Sequence, residues 1–150
     1  MKINSKKFIP LYITAAVMAL LMLISSLCYA KKGYGKKFVF IFPCVDEGKY
    51  ILETRYLKEN PNKDTIAYFA DELVLGSGFE RTKYLFTPGT KINSCFERNK
   101  VVYIDLSADI IYMGHNVISI REGIELLKKN IKKNFPHVEE IQVFVDGKYA

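Results

Sequence analysis

The sequence predicts an α+β fold: a two-layer sandwich of a mostly antiparallel sheet and two helices, ordered β-β-α-β-β-α-β, preceded by an N-terminal transmembrane or signal helix. Three observations predict it. An uncharged run from Phe8 to Ala30 stands apart from everything after it. Beyond it, five short segments are rich in β-branched and aromatic residues and are bounded by turn residues. Two longer segments repeat apolar residues at helical spacing between capping signals.

The uncharged run has 23 residues, and ~20 helical residues cross a ~30 Å hydrocarbon core. Lys2, Lys6 and Lys7 supply a basic flank, and Pro10 falls near the start, where its missing N–H costs little. The length favours a retained anchor, because the apolar part of a cleaved signal spans only ~7–15 residues. Cys28 and Ala30 are small residues at −3 and −1 of a cut after Ala30, which keeps a secreted or periplasmic mature form open. Leu27 and Ser25 fit poorly with a lipoprotein cut before Cys28. Residues 1–30 are thus the signal-anchor or transmembrane segment, 31–37 a glycine-containing basic tether, and 38–150 the folded domain. The flanking charge is nearly balanced; a short leader before a folded domain puts that domain outside the cytoplasmic membrane. Lys31, Lys32, Lys36 and Lys37 then lie where anionic lipid attracts them.

In the domain, Phe38 to Pro43 is apolar on both faces and reads as a strand of central type. Asp46-Glu47-Gly48 turns the chain, and Tyr50 to Leu57 returns as a second strand. Asp64 is the expected N-cap of a helix reaching Leu75, with Ile66, Phe69, Ala70, Leu73 and Val74 on one face and Gly76 as its left-handed terminator. Ile92 to Phe96 and Val101 to Leu106 are the next strands, joined by a polar turn from Glu97 to Lys100. Ser119 and Glu122 form a capping-box pair before a helix from Ile120 to Asn134. Ile120, Ile124, Leu127, Ile131 and Phe135 make its apolar stripe, and Pro136 stops it. Ile141 to Val145 closes the sheet before Asp146-Gly147.

The net charge of +6 overstates the domain's basicity. Three lysines precede the membrane run, which leaves 19 basic against 16 acidic residues from Lys31 onward. Lysines that flank a membrane run or share one helix face do not form the basic, aromatic-lined stripe of a nucleic-acid site. No G-x-S-x-G elbow or phosphate loop occurs. Ser77 or Ser107 with His115 or His137 and an aspartate could be assembled into a small envelope hydrolase only if the fold converges them. Asp105 is expected to cap loop backbone rather than bind metal, for lack of a second acid at ligand spacing. Gly76-Ser77-Gly78 follows a helix instead of preceding one, so no anion cradle is expected. No catalytic group, cofactor or metal site is expected. Cys44 and Cys95 could pair or pack as small core residues.

Four segments carry a family likeness: Asp71-Glu72-Leu73-Val74-Leu75-Gly76, Leu85-Phe86-Thr87-Pro88-Gly89-Thr90-Lys91-Ile92, Val101 through Ser107, and Val143-Phe144-Val145-Asp146-Gly147. Together they resemble the GerMN family, the sporulation and spore germination domain. The likeness covers roughly residues 38–147. Departures are Gly76-Ser77-Gly78, where a Gly-Pro is common, Lys129-Asn130, where a threonine-containing helix centre is usual, and the unmatched loop Ser107–Asn116. The resemblance implies an envelope protein without known catalysis, often a lipoprotein or single-pass anchored. It also implies similarity to ring-building domains of secretion and sporulation machines.

The expected function is therefore a non-enzymatic binding or assembly domain tethered to the membrane, its partner an envelope protein or a second copy. A secreted ligand-binding module and a small hydrolase are the alternatives. The candidate contact residues are the apolar loop Ile110, Ile111, Tyr112 and Met113 and the helix cluster Lys128, Lys129, Lys132 and Lys133.

Overall fold

The computed structural model describes residues 9–31, 35–46 and 48–150. Lys2, Lys6, Lys7, Lys32, Gly33, Tyr34 and Glu47 lie outside them. The chain divides into two compact units, 1–34 and 35–150. In the first, α1 (Ile9–Lys31) contains one stretch, Leu11–Cys28, long and apolar enough to cross a membrane. Within this unit those side chains are exposed.

The second unit holds β1 (Lys36–Pro43), β2 (Tyr50–Leu57), α2 (Thr65–Val74), β3 (Ile92–Arg98), β4 (Val101–Leu106), α3 (Ile120–Asn134), β5 (Glu140–Val145) and β6 (Lys148–Tyr149). The expected tether is shorter at both ends. Lys31 closes α1, and Lys36 and Lys37 open β1 opposite Leu57 and Tyr56.

The strands form two sheets, β1-β2 and β3-β4-β5-β6. Every pair is antiparallel except β4 with β5, which run parallel through the α3 crossover. The β3-β4 hairpin turns on Asn99 and Lys100, both at positive φ, as a two-residue turn requires. Asp146 and Gly147 do the same between β5 and the unforeseen β6. The inner face of the four-stranded sheet is Val102, Ile104, Leu106, Ile141 and Val143, all buried. Against it pack Leu73, Phe69 and Ile66 of α2 and Leu127 and Ile131 of α3, which form one core with Phe38, Phe40 and Phe42 of β1. Phe40 and Phe69 stack with centroids 4.6 Å apart, and Phe135 meets Phe69 edge-on at 5.4 Å.

The first strand is not central in its sheet, although both its faces are largely buried. Its second edge is occupied by side chains of α3. Asn130 accepts from the Ile41 N–H at 2.7 Å and donates to the Ile41 carbonyl at 2.9 Å. Asn134, one turn later, does the same to Val39 at 2.9 and 2.8 Å. Two carboxamides at i and i+4 thus replace the next strand of the sheet and satisfy an edge that would otherwise be open.

Each helix has identifiable ends. Ser119 accepts from the Glu122 N–H at 3.3 Å, as expected of an N-cap. Asp64 precedes α2 without a side-chain capping bond; its backbone carbonyl receives the Tyr68 N–H instead. Gly76 follows α2 at φ +96°, and a Cβ there would meet the Tyr84 ring at 2.7 Å.

Candidate contact site

The loop after β4 is held at both ends by backbone bonding. Ser107 donates its N–H to the Lys91 carbonyl at 2.8 Å, and its hydroxyl accepts from the Lys91 N–H at 3.0 Å. A single 3-10 turn, Ala108–Ile111, follows. At the far end Tyr84 donates to the Asn116 carbonyl at 3.0 Å and accepts from Ile118 at 3.2 Å, a one-residue parallel bridge. Asn116, at φ +61°, also donates its side-chain amide to the Thr82 carbonyl at 3.0 Å.

Between these anchors the four apolar candidates separate. Ile110 is 2% exposed and belongs to the core, so it is removed from the candidate contact surface. The short helical turn points it inward and leaves the next three side chains outside. Ile111, Tyr112 and Met113 are 62%, 71% and 67% exposed. Thr87, from the Pro-Gly turn, donates its hydroxyl to the Tyr112 carbonyl. The apolar tip is therefore displayed on a braced loop.

A family model described as sporulation and spore germination, Germane, matches residues 40–150. The chain belongs to the Germane family. No curated protein matches it. Among solved structures it is similar to the tandem GerMN domains of the sporulation protein GerM from Bacillus subtilis, at 22% identity and TM-score 0.59, over 77% of this chain and 40% of that one. It is also similar to the first GerMN domain of GerM from Bacillus subtilis, at 13% identity and TM-score 0.54, over 75% of this chain and 85% of that one. At such identities the likeness concerns the fold. This Germane chain spans less than half the length of the tandem structure.

In this Germane domain the family's motif residues work as fasteners. Thr90 donates both its N–H and its hydroxyl to the Thr87 carbonyl, closing the turn at Pro88-Gly89. Asp105 accepts from the Gly147 N–H at 3.0 Å and from Asn93 at 3.3 Å, so it ties the β5-β6 turn to the β3-β4 hairpin.

The polar residues of the hydrolase alternative are bonded in separate pairs. Ser77 donates to Glu53 at 2.7 Å, Ser107 to Asp109 at 2.9 Å, and His137 lies 3.0 Å from Glu97 on an exposed edge. None of these bonds joins a serine to a histidine. His115 is exposed on the loop. Among the described residues no three His, Cys, Asp or Glu side chains are grouped to hold a metal.

Cys44 and Cys95 are free thiols. Cys44 follows β1 and is buried, whereas Cys95 lies on β3 in the other sheet. Burial, with smaller contributions from Asp64 and Asp71, pushes the Cys95 thiol up to about 12. It is therefore protonated at neutral pH and a poor nucleophile.

The four lysines of α3 also divide. Lys128, Lys129 and Lys132 border a groove shared with Glu125, Glu139 and Glu140, so this side is mixed in charge. Lys129 stands with its Nζ 5.1 Å from the centroid of the Tyr50 ring, toward the β1-β2 sheet. Lys133 is exposed one turn further along.

The pattern of β2 holds the least expected feature. Glu53 and Arg55 point inward at 13% and 19% side-chain exposure, joined at 2.7 Å. Tyr50, Leu52 and Tyr56 point outward at 49%, 63% and 58% exposure. The strand is inverted relative to ordinary amphipathic patterning. Its alternation is legible in the sequence Tyr50-Ile51-Leu52-Glu53-Thr54-Arg55-Tyr56-Leu57, but its phase is not, because either set could face the core.

Proposed function

We propose that this Germane domain is a non-catalytic, envelope-facing assembly module, held at the cytoplasmic membrane by α1 as a single-pass anchor and displayed on the extracytoplasmic side. Its contact is the loop tip Ile111-Tyr112-Met113, and its partner is a second copy of the chain. The observation that carries this reading is the exposure of three consecutive large apolar residues on a loop braced at both ends. Braced apolar tips of this kind lose little conformational entropy on docking, so more of the burial free energy remains as affinity. The occurrence of GerMN domains in tandem in GerM supports a second copy as the partner, since such domains occur side by side in one chain. Tethering to one membrane raises the local concentration of copies and makes a modest interface sufficient.

The test is photo-crosslinking in intact cells with the full chain, Tyr112 being replaced by a benzoylphenylalanine probe. A covalent adduct of twice the chain mass is expected, lost when Ile111→Ser and Met113→Ser are added. An adduct with a different envelope protein would replace the second copy as partner. Recovery of the uncrosslinked monomer alone would overturn the assembly reading.

A further inference from the structure

We propose that the outward face of the β1-β2 sheet is a bilayer-docking surface for anionic phospholipid, distinct from the loop tip. The inference rests on the tethering reading above. Cross-strand register puts Lys37 beside Tyr56, Ile41 beside Leu52 and Pro43 beside Tyr50 on one face of the sheet. The exposed outward positions of the two strands are apolar, hydroxylated or cationic: Lys37 on β1 and Tyr50, Leu52, Thr54 and Tyr56 on β2, whereas Val39 is half-buried and Ile41 and Pro43 are buried. Neither strand places an acid on the face, because their one acid, Glu53, is turned inward to Arg55; Glu122 of α3 borders a cleft with Pro43 and Tyr50 at one end.

The helix beside β1 extends the cationic rim. Asn130 and Asn134 bond the β1 edge, and Lys129, the residue before Asn130, reaches over Tyr50. Lys133 precedes Asn134 in the same way, so helical spacing sets it on the same flank, one turn along. The result is a Tyr-Leu-Tyr surface with Lys37 at one end and Lys129 and Lys133 along one side. Tyrosines with an apolar body and polar tip, and lysines with long apolar stems, suit the headgroup layer of a membrane. Lysines at the rim of a face whose own exposed positions carry no acid suit an anionic leaflet, although Lys129 also borders the groove shared with Glu125, Glu139 and Glu140.

Chain length supports the same occupant. Four residues lie between Lys31 and Lys36, so the chain between them reaches at most ~18 Å at ~3.6 Å per Cα step. A bilayer crossed by α1 is therefore within covalent reach of the start of β1, and docking on it costs little additional translational entropy.

The experiment uses the full chain reconstituted in vesicles containing phosphatidylglycerol. Flotation with the vesicles is scored first. A benzoylphenylalanine probe then replaces Leu52, or Phe96 on the four-stranded sheet as the control, and lipid adducts are read by mass spectrometry. A lipid adduct is expected from position 52 and not from position 96. Lys129→Glu with Lys133→Glu is expected to lower its yield about tenfold, and phosphatidylcholine vesicles to lower it similarly. All of these side chains are exposed, and an unchanged thermal melt verifies the fold. Flotation without a lipid adduct at position 52, or with a chain-to-chain adduct there, overturns the docking face and leaves the anchor standing. Failure to float overturns the anchor and this proposal together.

Discussion

Asn130 is fully buried and uses its carboxamide on three backbone groups: the N–H and carbonyl of Ile41 and the carbonyl of Leu126. A buried peptide group left unpaired costs ~1–3 kcal/mol. Asn130→Leu keeps the branched shape but strands both groups of Ile41, so it is expected to destabilise by about 3 kcal/mol or more, near 10 °C in Tm for a domain of this size. Asn134→Ala, at a half-buried position, admits water to Val39 and is expected to cost only about 1 kcal/mol. Chemical denaturation of both variants checks this; an Asn130→Leu protein within 1 kcal/mol of the parent, a single buried bond's worth, would remove the strand-mimic role. In the sequence Asn130 reads only as a departure from a family pattern beside a lysine cluster. Its position off the apolar stripe of α3 suggests solvent. The side-chain pattern of one helix does not reveal that a sheet edge runs past its polar flank.

The inverted β2 strand is explained by what its inward ion pair does for α2. Arg55 donates to the Glu72 carbonyl of the last turn at 3.1 Å and to the Gly76 carbonyl just beyond the helix at 2.6 Å, and its guanidinium lies 4.8 Å from the Phe40 ring centroid. It thus caps a helix C-terminus, where cations are favoured, and closes one side of the aromatic core. Arg55 also holds the Glu53 carboxyl below its ordinary value of 4.5, against opposing burial, with further help from Ser77 and the Gly78 N–H. A depressed folded-state pKa adds stability that is complete above 4.5 and is lost as pH falls through the lowered value. Arg55→Met should therefore cost about 2–3 kcal/mol at neutral pH, and its deficit relative to the parent should shrink as pH drops below 4.5. Urea midpoints of both proteins across pH 3 to 7, spanning the ordinary carboxylate range, test the sign; a pH-independent deficit would assign the loss to packing alone. Element positions were largely readable from sequence, because α3, β2 and β4 announce themselves by stripe, alternation and caps. The parallel β4-β5 pairing and the split into two sheets were not, since periodicity carries no information about which strand is the neighbour. β6 is too short to have a period at all.

At the scale of the whole molecule, the family match and the core coincide. The Germane model covers residues 40–150, and every buried core side chain lies between Phe38 and Val143. The compact unit that contains them begins at Gly35. What the sequence made legible at this scale was the division itself, because a long uncharged run and a mixed-charge domain differ in composition. The site was legible only in outline: loop exposure depends on which way a short turn faces, and that direction buried Ile110 while releasing Ile111, Tyr112 and Met113. The division makes a clear prediction. A core drawn wholly from residues 35–150 needs nothing from α1 to fold. The chain starting at Gly35 should therefore unfold cooperatively, with a Tm within about 3 °C of the full chain in detergent, a difference of less than ~1 kcal/mol. It should also lose flotation with vesicles if α1 is the principal anchor, since an exposed face with a few lysines binds lipid only marginally by itself. Calorimetry and flotation of the two lengths measure the two parts separately. A large fall in Tm would mean that α1 supplies packing to the domain, whereas retained flotation would move the principal membrane contact from α1 to the folded unit.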